Sequence, residues 1–177
     1  MKKIILLIIV FSVFIFFSCQ NPFEAKISPS IKKENIKLYI NQGYIVNEKG
    51  RLSQDNEMGD IYFYKRDFNY YFGIGWTTWD SGNFTPNLNK LYNFNQPFSN
   101  FNTIKYAPSY NSYVGEIFIS PNIISNGGLF SIYTKDHHFG LIGIKKVELS
   151  NKEYIIFDYV YNPNSDNTYN LSYYEAE

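Results

Sequence analysis

The sequence predicts an all-β domain, an antiparallel β-sandwich or barrel-like fold with a C-terminal β-meander. Three observations predict it. Aromatic residues make up 20% of the chain, as 17 Tyr, 16 Phe and 2 Trp, and with Ile, Leu and Val they suit the pleated, half-buried surface of a sheet. The apolar residues fall in short runs, several of them alternating, rather than at the three-and-four spacing of an amphipathic helix. Asn, Gly and Pro stand between the runs, where left-handed backbone or a fixed φ favours turns.

The amino terminus reads differently from the rest. Lys2 and Lys3 form a positive start, Ile4 to Phe17 is apolar except for Ser12, and the small Ser18 precedes Cys19, the only cysteine. These are the parts of a secretory signal peptide, residues 1–18. The apolar stretch would span about 21 Å as a helix, short of the ~30 Å hydrocarbon core of a bilayer. Phe16-Phe17-Ser18-Cys19 resembles the lipobox of bacterial lipoproteins, in a relaxed form similar to that of spirochaetal outer-membrane lipoproteins. The resemblance covers the first 20 residues and implies that the Cys19 thiol is acylated. Two or three acyl chains hold a protein at a bilayer stably, whereas one holds it only reversibly. A lone thiol in an oxidising compartment otherwise lacks a purpose. Gln20 resembles the outer-membrane sorting signal of enteric lipoproteins, so the expected location is the outer membrane, with the lipid on Cys19 as the membrane contact.

Residues 19–35 are expected to be a lipidated flexible tether, because Pro22, Pro29 and three lysines leave few large apolar groups. Residues 36–177 are expected to form one β domain, since the mature length fits a single core. Strands are expected at 36–40, 43–47, 60–66, 69–79, 112–120, 129–135, 139–149, 153–161 and 168–174. The last four are joined by the short polar links KDHH, SNKE and NPNSDN, which is how a meander is written. In the strand at 153–161, Ile155, Phe157 and Tyr159 alternate with Tyr154, Ile156 and Val160, so both faces are apolar and the strand is expected to be central. Residues 80–110, interrupted by Pro86, Pro97 and Pro108, are expected to be a long loop pinned by its aromatics, with at most one helical turn around 86–92.

Charge excludes one class of partner. Beyond the leader, 14 basic side chains face 16 acidic ones. That net of about −2 speaks against nucleic acid and supplies no polybasic patch for anionic lipids. No nucleophile elbow or dinucleotide loop is present, so no enzyme and no cofactor are expected. The acidic segment containing Asp55, Glu57 and Asp60 lacks the glycine position of a calcium loop. His137 and His138 are adjacent, and neighbours in extended backbone point to opposite faces, so they are expected to be turn residues rather than a metal pair. The densest feature is the run from Tyr62 to Trp79, nine aromatics in eighteen residues. Core packing accounts for most of them, and some rings are expected at the surface. Trp76, Trp79 and Tyr71 are the candidate binding residues.

The segments LFSIYTKDHHFGLIGIKKVEL and EYIIFDYVYNP, with GDIYF at 59–63, resemble the strands of HmuY-type haem-binding lipoproteins over about a quarter of the chain. The resemblance implies small-ligand binding as an alternative role. That family's haem site uses two separated histidines, so no ligand residue carries over to His137 or His138. The expectation is therefore a lipid-anchored outer-membrane lipoprotein with a binding or surface-interaction role, or alternatively a binder of haem or carbohydrate.

Overall fold

The protein is described by a computed structural model at residues 30–47, 49–54, 59–74, 79–80, 83–84, 89–108 and 110–164. The expected signal peptide at 1–18, Cys19, the acidic residues Asp55 and Glu57, Trp76 and the expected strand at 168–174 lie outside the described residues. In chain order the strands are β1 (Ile31–Tyr39), β2 (Gln42–Ile45), β3 (Arg51–Leu52), β4 (Ile61–Arg66), β5 (Asn69–Gly73), β6 (Trp79–Asp80), β7 (Asn83–Phe84) and β8 (Lys90–Asn93). Next come β9 (Glu116–Phe118), a short helix α1 (Pro121–Asn126), β10 (Gly128–Tyr133), β11 (Phe139–Glu148) and β12 (Tyr154–Tyr161).

Two five-stranded sheets stack face to face, and β6 and β7 form a separate ribbon. Sheet I has the order β1-β12-β11-β10-β8 and sheet II the order β3-β2-β4-β5-β9. All their pairings are antiparallel. The fold is thus a sandwich, with β10, β11 and β12 as the expected meander. The sheets approach along one side, where Leu91 and Val114 exchange backbone hydrogen bonds. The doubly apolar β12 is central, flanked by β1 and β11. Its Phe157 and Tyr159 enter the core between the sheets with Leu38, Phe63, Phe72 and Phe130, while Val160 enters a second core on the outer face of sheet I.

That second core is built by the segment expected to be a loop. Pro97 leads into a 3-10 turn at Phe98–Thr103, and Phe101, Ile104, Ala107 and Tyr113 settle on Leu129, Leu141 and Val160. Gly143 makes room for this cover, since a Cβ there would lie 2.5 Å from the Phe101 ring and 2.8 Å from that of Phe98. Part of the segment is regular: instead of a helical turn around 86–92, Lys90–Asn93 pairs with β10.

Three boundaries differ from expectation. β1 begins at Ile31, within the span 19–35 assigned to the tether. It is an edge strand whose Lys32 and Lys33 are half-buried and whose Glu34 is exposed, and charged edge strands read locally as linkers. A bulge between Lys33 and Ile36 places Asn35 in left-handed backbone, with its N–H on Asp158 Oδ1 at 2.8 Å. The strand expected at 112–120 shrinks to Glu116–Phe118 because Ser120 caps α1, with Pro121 in its first turn and Gly127 beyond its end. The strand expected at 69–79 is described as β5, ending at Gly73, and then β6 from Trp79.

Candidate functional site

The run of aromatics is sorted by the pleat. Along β4 and β5, Phe63 and Phe72 point inward and are fully buried, whereas Tyr64 and Tyr71 lie on the outer face of sheet II. Register carries the row across three strands, because Tyr64 pairs with Tyr71 and Tyr71 with Phe118. Tyr64 and Tyr71 stack with centroids 5.6 Å apart and planes at 18°, and Phe118 meets Tyr71 edge-on at 5.9 Å. Phe118 remains 47% exposed.

A charged pair holds this row. Arg66 binds Glu116 through two contacts, 2.6 Å and 3.2 Å, and its guanidinium lies 4.6 Å from the Tyr71 ring centre. The Tyr64 hydroxyl donates to the same carboxylate. Hydrogen bonding to Arg66 keeps the Glu116 carboxyl below the usual carboxylate range, and Glu116 in turn raises Arg66 above its ordinary value. Such a bidentate, stacked arginine is directional in a way a lysine is not. The result is a preorganised patch of tyrosine, phenylalanine and arginine, side-chain types that carry much of the energy at protein interfaces.

The structure brings Tyr71 to the centre of this patch. It describes only the backbone of Trp79, in the β6–β7 ribbon, and Trp76 lies outside the described residues. His137 and His138 occupy the β10–β11 turn and diverge. His137 has φ 66° and shares a 2.7 Å hydrogen bond between Nδ1 and the Tyr133 hydroxyl. The His138 ring lies against Tyr161 with centroids 5.3 Å apart, its buried Nδ1 unpaired among the described residues. No group of three or more His, Cys, Asp or Glu among the described residues is placed to hold a metal ion. Asp60 is mostly buried and braces a loop, accepting from Val46 N–H and Asn89 Nδ2, both at 2.8 Å. Burial raises its pKa despite those bonds. Asp158 is buried between two bulges and paired with Lys145 at 2.8 Å.

Three residues of the patch were not singled out from sequence. Arg66 and Glu116 look like ordinary strand-end charges, and their pairing requires β5 to lie beside β9. Phe118 sits in an apolar run whose exposed face is set by register alone. The fold and this patch define a class: an antiparallel β-sandwich with one aromatic outer face covered and the other bearing an aromatic row that runs from buried Tyr64 through half-buried Tyr71 to exposed Phe118. No protein-family model, no curated protein and no solved structure matches the chain.

Proposed function

We propose that this chain is a lipid-anchored outer-membrane lipoprotein whose β-sandwich binds a protein partner through the outer face of sheet II. The anchor rests on the sequence, on Phe16-Phe17-Ser18-Cys19 behind a secretory leader. The binding role rests on one observation, the Tyr64–Tyr71–Phe118 row held in place by Arg66 and Glu116. A rigid patch loses little side-chain freedom on association, which is what lets a small aromatic surface bind. The orientation of the rings favours a protein over a sugar. Tyr71 is stacked on Tyr64 and covered by Arg66, so its ring faces are already occupied and do not offer the open platform on which sugars stack.

Two experiments test the two halves. Metabolic labelling with a palmitate analogue should mark the wild type and leave Cys19→Ala unmarked and soluble after membrane fractionation. A wild type without label removes the anchor. For the patch, Tyr71→Ala combined with Phe118→Ala should reduce binding to intact envelope and host-cell surfaces by at least tenfold while the chain still melts cooperatively, with a melting temperature lowered by only a few degrees, about 2–6 °C. Unchanged binding would sink the assignment of this face.

A further inference from the structure

Phe68 is the most exposed large apolar side chain among the described residues, at 93%, and it stands at the tip of the β4–β5 hairpin. The link is two residues long, and both are left-handed, Asp67 at φ 49° and Phe68 at φ 67°. Such a turn favours Asn or Asp followed by Gly. A bulky side chain there is strained, and strain at an exposed position points to function rather than to folding. No packing offsets it, because almost the whole ring is in solvent. The hairpin below is nevertheless rigid: Lys65 binds Glu153 at 3.4 Å, the Tyr70 hydroxyl donates to the same carboxylate, and Arg66 is fixed on Glu116.

Position in the sandwich says what the ring meets. β1 enters at Ile31, opposite Tyr161, and leaves at Tyr39, opposite Tyr154. The nine residues of this strand carry the chain about 27 Å to the far end of the sandwich. β2 starts at that far end, where Gln42 pairs with Phe63, and β4 continues past it to Arg66. The Phe68 tip therefore lies at the end of the sandwich opposite the entry of the segment that follows Cys19. Ile124, 39% exposed, lies on α1, which starts beside β5, where Ile119 N–H donates to the Tyr70 carbonyl. The near-neutral charge balance gives an opposing anionic bilayer little to attract.

We infer that Phe68 is a preformed docking knob, at the end of the sandwich opposite the entry of β1, that inserts into an apolar pocket of a protein partner. The knob rests on the proposed binding role of sheet II and deepens it, since Arg66 and Tyr71 of that face lie two and three residues away. The turn keeps a conformation that glycine would hold without strain, so binding and stability should respond to Phe68 in opposite directions.

The test uses the full chain carrying Phe68→Gly, measured by thermal melting and by retention on intact envelope and host-cell surfaces. The same surfaces stripped by protease, and phosphatidylethanolamine–phosphatidylglycerol vesicles, are run beside them. The expected result is a melting temperature higher by about 2–4 °C, with retention on intact surfaces at least tenfold below the wild type and no wild-type retention on stripped surfaces or vesicles. A fall in melting temperature makes Phe68 a folding residue and overturns the knob. Retention unchanged by Phe68→Gly overturns it too, and wild-type retention on vesicles reassigns the ring to a bilayer. If Tyr71→Ala with Phe118→Ala weakens retention while Phe68→Gly does not, the face stands and the knob falls. Loss with Phe68→Gly alone leaves the knob and removes the face, and loss with neither removes both.

Discussion

The two outer faces of the sandwich start from similar material and end differently. On sheet I, Leu129, Leu141 and Val160 are buried under Phe101, Ile104 and Tyr113, a cover supplied by a proline-interrupted segment remote in sequence. On sheet II, Tyr71 and Phe118 have no such cover among the described residues, and their row is steadied by Arg66 and Glu116 instead. Alternation places an aromatic on a face, and it leaves open whether that face is core or surface. A charged pair laced through aromatics marks a face adapted to water, whereas Gly143, cleared for two phenylalanine rings, marks one adapted to packing.

The comparison predicts unequal costs for similar substitutions. The largest effect is expected from Phe101→Ala, which removes a buried ring from the sheet I cover and should cost about 3–5 kcal/mol in denaturant unfolding. The same truncation at Tyr71 should cost about 1 kcal/mol or less, and equal costs would break the contrast. Next is Gly143→Ala: the added methyl meets ring carbons of Phe101 and Phe98, and overpacking should cost about 1–3 kcal/mol. Loss of near-ultraviolet dichroism from the aromatic cover at a pH and temperature where the wild type keeps it would localise the damage. Tyr113→Phe removes a buried hydroxyl that lies 2.6 Å from Ser131 Oγ. Ser131 keeps its 3.2 Å bond to the Gly140 carbonyl, so the loss should be about 1 kcal/mol.

The smallest effect belongs to the open face and depends on pH. Glu116 has a folded-state pKa below the ordinary 4.5 because Arg66 binds the charged form. Its contribution to stability is therefore complete above pH 4.5 and fades as pH falls through the lower folded value. Arg66 and Glu116 are both more than a third exposed, so Glu116→Gln should cost about 0.5 kcal/mol at pH 7. The difference from wild type should shrink in urea melts recorded progressively below pH 4.5. A gap that instead widens on acidification would show that the carboxylate is not held by the arginine.

Particular residues show how far the sequence could be read. The double-sided apolar pattern of β12 identified a central strand before any partner was known, because only a strand covered on both faces can be written that way. The links KDHH and SNKE marked the meander for the same local reason. Ile31 to Asn35 reads as tether although it is strand, since the lysines of an edge strand resemble those of a linker. α1 is too short to leave a helical stripe in the sequence, and only Ser120-Pro121 and Gly127, its two caps, mark it. At the candidate site, Tyr71 was legible from aromatic density, while Phe118, Arg66 and Glu116 depended on β5 pairing with β9. Asp67-Phe68 carries no glycine to announce its turn.

By itself, then, the sequence determined what is local in physics: strand over helix from side-chain shape and alternation, and turns from residues that tolerate left-handed backbone. The tertiary structure decided what is non-local. Which outer sheet face became core followed from where Phe101, Ile104, Ala107 and Tyr113 came to rest, and which aromatics share a row followed from register between strands tens of residues apart. Both are set by free energies of burial summed over the whole sandwich, and no single segment of the chain contains that sum.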